Sequence, residues 1–172
     1  MHYNDQRVGI FVDIQNLYHS AKHLYGAKVN FGELVKSLTG DRKLIRAIGY
    51  VVKSDTSEAE VAFFEALGKG GIELRIKDLQ IFSGGAKKAD WDVGMAVDAI
   101  RMASFLDVII LVTGDGDFVP LVDYLKWGLG RQVEVASFAR STSGKLKEVA
   151  DVYINLEENN KFLIKARTGK KR

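Results

Sequence analysis

Residues 107–118, DVIILVTGDGDF, constrain the fold of this chain more than any other stretch. Val108 to Val112 are five apolar residues in succession, rich in β-branched side chains. A short continuous run of this kind, bounded by turn residues, reads as a strand buried on both faces, as in parallel sheets covered by helices. The run leads straight into Asp115 and Asp117, with a glycine on either side of the first. Neighbouring carboxylates repel, and carboxylates close to a core are costly unless something neutralises them.

The rest of the chain alternates around this element. RVGIFVDI, KLIRAIGYVV, GIELRIK, QVEVASF and DVYINL read as strands. NLYHSAKHLYG and NFGELVKSL have helical spacing and stop at Gly26 and Gly40, with Asn30 in a capping position. TSEAEVAFFEALGKG opens on a Ser-x-x-Glu pattern, Ser57 to Glu60. WDVGMAVDAIRMASF predicts a helix whose apolar face is Val93, Ala96, Val97 and Ile100. DFVPLVDYLKWG is a further helix with Pro120 in its first turn, and SGKLKEVA a short one. The order predicts an α/β fold with a parallel sheet covered on both faces.

With 172 residues and no cysteine, the chain is expected to be one domain without disulfides or thiolate metal sites. Its first apolar run is short and interrupted by Asp13, which predicts neither signal peptide nor membrane span and a cytoplasmic protein. Residues 161–172 carry six of the 25 Lys and Arg and no acid, leaving a body of 19 basic against 22 acidic residues. The division expected is a domain over 1–160 and a basic tail over 161–172, helical or disordered. Such a tail is either a solvated end or a hold on a polyanion.

In an open parallel sheet, ligands bind beyond the carboxyl ends of the strands, near a switch in strand order. Asp13 ends the first strand, and Asp115 and Asp117 follow the strongest one, so all three are expected on one edge. Asp90 and Asp92 stand at a helix start, where an acid can also serve as an N-terminal cap. Asp98 falls about 240° around that helix from Asp92 and is a second-tier candidate. Converging carboxylates without Cys or His suit hard ions, Mg²⁺ or Mn²⁺, which polarise phosphoryl oxygens and activate water. Gly114 and Gly116 are expected to permit the backbone conformations that aim both carboxylates at one space. His19 and His23 have a ligating spacing but no third partner nearby in sequence, and an amphipathic helix face explains them.

GIFVDIQNLY, DWDVGMAVDAI, LVTGDGDFVPLV and VASF…LKEVADVYINL together resemble the NYN domains, a branch of the PIN-like nuclease superfamily that includes LabA-like proteins. The resemblance runs from about residue 7 to residue 156. It implies a PIN-like three-layer α/β/α sandwich with a central, mostly parallel sheet, and metal-dependent ribonuclease chemistry. Asp13, Asp92, Asp115 and Asp117 match the family's acidic metal-binding set, Asn16 the polar residue beside the first acid, and Thr113 the hydroxyl before Gly-Asp. KKADWD departs from the usual Lys-Gly-x-Asp, which leaves Asp90 and Asp92 as rival ligands; the D-V-x-x-A-x-D register favours Asp92.

The chemistry so implied is hydrolysis of RNA by an endonuclease using Mg²⁺ or Mn²⁺. RNA is the expected partner, a membrane is not, and a homo-oligomer is allowed. Lys87, Lys88 and the tail are candidates for backbone contacts, and Trp91 or Tyr18 for stacking an unpaired base, with a core position as the other reading of Trp91. Two rivals are a non-catalytic RNA- or protein-binding module on the same fold, and a metal-dependent phosphatase. The phosphatase is disfavoured because no second acid stands two residues after Asp13.

Overall fold

The computed structural model describes residues 3–54, 57–85, 87–159 and 161–165. Strand β1 (Arg7–Asp13) sends Val8, Ile10 and Val12 into one core and Phe11 into another. Helix α1 (Ile14–Tyr25) follows without a loop, because the Asp13 side chain caps it by accepting the Asn16 N–H at 3.2 Å. It stops at Gly26, whose φ of 56° is left-handed. Strand β2 (Ala27–Val29) leads to α2 (Phe31–Thr39), capped by Asn30. After β3 (Lys43–Lys53), helix α3 (Glu58–Lys69) starts where Ser57 accepts the Glu60 N–H. Strand β4 (Glu73–Asp78) and a small hairpin, β5 (Gln80–Ile81) with β6 (Lys87–Lys88), precede α4 (Asp92–Met102).

Strand β7 (Val108–Val112) is fully buried. Helix α5 (Val119–Asp123) takes Pro120 in its first turn and runs on through a π-helical turn at Tyr124–Gly128. Then come β8 (Gln132–Ser137), α6 (Gly144–Val149), β9 (Val152–Asn155) and β10 (Leu163–Lys165). The main sheet has six strands in the order β4-β3-β1-β7-β8-β9, with every neighbouring pair parallel. Helices α1 to α3 pack on one face and α4 to α6 on the other. The order reverses between β1 and β7, which makes their carboxyl ends the switch point. No helix among the described residues is long and apolar enough to cross a membrane.

Two expectations are corrected. The buried face of α4 is Met95, Asp98, Ala99 and Met102, whereas Val93 is 76% exposed and Val97 and Ile100 also face outward. The helix has two apolar stripes, and the one that packs includes an acid with partners on the sheet. Secondly, the segment after β9 is not helical where it is described: β10 pairs antiparallel with β2, and Phe162 beside it is 1% exposed. Residues 166–172 and the side chains of Lys87 and Lys88 lie outside the described residues.

Phe162 fills the core under β2, so Phe162→Ala is expected to destabilise the chain by about 3–5 kcal/mol in urea unfolding. A loss below about 1 kcal/mol contradicts its burial.

Candidate functional site

The alternation that sends Phe11 and Tyr50 toward α4 also sends Asp13 there, since Asp13 pairs with Tyr50 in the β1–β3 ladder. Val12 pairs with Val112, so β1 and β7 end at the same rim. Just past that rim Thr113, fully buried, donates its hydroxyl hydrogen to Asp13 Oδ2 at 3.4 Å and accepts the Asp115 N–H at 3.2 Å. Asn16 Oδ1 accepts the Gly114 N–H at 3.1 Å, tying α1 to the turn. Asp115 Oδ1 accepts the Asp117 N–H at 2.9 Å. Two of these links, to Asp13 Oδ2 and to Asp115 Oδ1, fix the direction of a carboxylate.

One carboxylate oxygen from each of Asp92, Asp115 and Asp117 lies within 4.8 Å of the others. Opposite ligands of an octahedral Mg²⁺ are about 4.2 Å apart, so this spacing is close to that of a shared ion. The triad can hold a metal ion. Asp13 is not one of the three, but its charge and that of Asp90 are felt at Asp92. Among the described residues, none of Asp13, Asp90, Asp92, Asp115 and Asp117 is in an ion pair.

The carboxyl of Asp92 is pushed up to about 6, first by burial and then by repulsion from Asp115, Asp90, Asp13 and Asp117. Burial also raises Asp13, against the lowering effect of hydrogen bonds from Asn16 and Thr113. A cation at the rim would offset both.

The other candidates separate. Asp90 is exposed and does not cap α4: Trp91 holds the cap position without a side-chain bond, and the Asp90 carbonyl accepts from Lys77 Nζ at 3.0 Å. Asp98 lies elsewhere, 7% exposed, accepting from the Tyr50 hydroxyl at 2.9 Å and paired with Arg75 at 3.4 Å. It is a clamp between α4 and the sheet. Trp91 is half-buried; its indole N–H donates to the Val51 carbonyl at 2.8 Å, and its ring packs against Tyr50. His19 and His23 are exposed on α1, and among the described residues neither belongs to a group of candidate metal ligands.

The glycine expectation is right about position and wrong about cause. Neither Gly114 nor Gly116 has positive φ. A Cβ on Gly114 would lie 2.6 Å from the Ser141 carbonyl oxygen, and one on Gly116 would lie 2.8 Å from Ser143 Oγ. The 141–143 loop presses on the turn, and the Ser143 N–H donates to the Gly114 carbonyl at 3.0 Å. Sequence reading missed this loop; Ser143, which caps α6, is the first residue of the predicted SGKLKEVA helix.

The six-stranded parallel sheet thus carries an acidic cluster at its switch point. Residues 7–157 match the NYN domain, and this chain belongs to that family. The low amplitude and bright protein LabA of Synechococcus elongatus is a distant homologue, 25% identical over 96% of this chain and 91% of its own length. A crystal structure of VPA0982, a protein of unknown function from Vibrio parahaemolyticus, superposes with a TM-score of 0.85 at 30% identity. That match covers 95% of this chain and 99% of the other.

Gly114→Ala drives a methyl into backbone and is expected to cost about 1–3 kcal/mol in urea unfolding; an unchanged midpoint contradicts the close approach.

Asp13 and Asp92 bind protons more readily folded than unfolded, so their stabilising contribution is full below the unfolded carboxylate range. It is lost as pH rises through the folded values, about 6 for Asp92. Asp107, lowered to about 2 beside Arg7, acts with the opposite sign but at more acid pH. The metal-free protein is expected to melt at higher temperature near pH 5 than near pH 7, and Mn²⁺ to raise Tm more near pH 7. A metal-free Tm that climbs over that interval contradicts the repulsion.

Proposed function

We propose that this chain is a divalent-metal-dependent ribonuclease acting at the rim between β1 and β7. The observation that carries the reading is the approach of Asp92, Asp115 and Asp117 within 4.8 Å, beside Asp13 and without a basic partner among the described residues. The donor set is carboxylate oxygen alone, which fits Mg²⁺ or Mn²⁺. Asp92, Asp115 and Asp117 would hold the ion, with Asp13 completing the set directly or through water. Such an ion supplies Lewis acidity toward a phosphoryl oxygen and lowers the pKa of water.

The residues of the chain do the positioning. Thr113 and the Asn16 N–H orient Asp13, and the Asp117 N–H orients Asp115. Asp117 is exposed and Asp115 half-buried, so the rim is open to a polymer. Without a cation these carboxylates repel a phosphodiester, so substrate and ion are expected to depend on each other. Membership of the NYN family favours RNA as that phosphodiester.

The test is cleavage of mixed single- and double-stranded RNAs with Mn²⁺ or Mg²⁺ by wild type and Asp115→Asn. Metal-dependent cleavage that falls by about a hundredfold or more in the variant is expected. Equal activity in both proteins points to a contaminant or another site. RNA binding with no cleavage under either ion makes the domain a non-catalytic binding module.

A further inference from the structure

A concavity of ≈ 420 Å³ runs between α1 and the β2–β10 pair. Tyr18, Lys22, Gly26, Lys28, Ile164 and Lys165 line it, and among the described residues no carboxylate does. Among the described residues, none of its three lysines is in an ion pair. Beyond Lys165 the sequence adds Arg167, Lys170, Lys171 and Arg172 and no acid.

Helix α1 joins this groove to the acidic rim. Asp13 caps its first turn, Tyr18 lies about 7.5 Å further along the axis, and Lys22 about 13.5 Å. The same helix therefore carries an anionic cluster at one end and a cationic trough from its second turn onward. A polyanion is repelled by the first in the absence of a cation and attracted by the second. Tyr18, half-buried and braced by Phe63 at 6.0 Å between ring centroids, stands at the end of the trough nearer the rim. An aromatic ring among unpaired lysines suits a strand with unstacked bases better than a duplex.

We propose that this groove holds the phosphate backbone of a single RNA strand whose scissile bond lies at the rim, with Lys22, Lys28 and Lys165 on phosphates and Tyr18 against a base. The direction along α1 rests on the reading of the rim as the cleavage site. The groove's affinity for the strand does not depend on turnover, because its residues are separate from the carboxylates.

The experiment is fluorescence anisotropy of the full chain in EDTA with a labelled, unstructured RNA of roughly 20 nucleotides, over a salt series. Lys22→Ala/Lys28→Ala/Lys165→Ala is expected to weaken binding about tenfold or more and to make the log–log salt slope shallower by about 2, at ~0.7 for each phosphate no longer neutralised. Replacing the three lysines by arginine is expected to leave binding within about twofold of wild type. A triple-alanine protein that binds RNA like wild type overturns the proposal. So does a wild type that ignores RNA and binds anionic phospholipid vesicles through these lysines. Lysine-dependent binding without Mn²⁺-dependent cleavage keeps the groove and removes the nuclease reading. Cleavage that is indifferent to the lysines removes the groove alone.

Discussion

β1 and β7 lie side by side, run in the same direction and end together, and the placing of the acids at the rim depends on that pairing. Val12 opposite Val112 sets the register. Asp13 and Thr113 then emerge as neighbours and share a hydrogen bond across the gap. Neither residue reaches far; each is placed by the strand behind it. The two strands are buried on both faces, so a slip by one residue would turn core side chains of β1 into the opposite layer. The position of the acids is thus held by the hydrophobic packing of the whole domain.

The carboxylates work against that packing. Burial first, and then repulsion from neighbouring acids, raise Asp92 and Asp13. Local bonds offset part of the strain: Asp13 caps α1, and Asp115 closes the turn to Asp117. Asp98 shows the contrasting case on the same helix as Asp92. Its charge is met by Tyr50, Arg75 and Arg101, and it holds α4 against β3 and β4. One helix therefore carries an acid satisfied by protein and an acid with no basic partner among the described residues.

Much of this was legible in the sequence, for identifiable reasons. Apolar runs ending in acids are local signals, and parallel topology carries them to one edge without further information. The caps at Asn30 and Ser57 depend only on the next few residues. What stayed hidden depends on partners distant in the chain. The packed face of α4 could not be picked from two apolar stripes without knowing that Tyr50 and Arg75 await Asp98. Gly114 is needed because Ser141 presses on it, not because of its own φ. β10 is three residues long and finds β2 only through the core around Phe162.

Whether Asp92, Asp115 and Asp117 meet to seat a hard divalent cation decides the rest. Crystals of the protein grown with Mn²⁺, measured at the manganese absorption edge, test this independently of activity. One dominant anomalous peak is expected within about 2.5 Å of carboxylate oxygens from at least two of the three. A well-occupied peak elsewhere, with this rim empty under the same conditions, would contradict it.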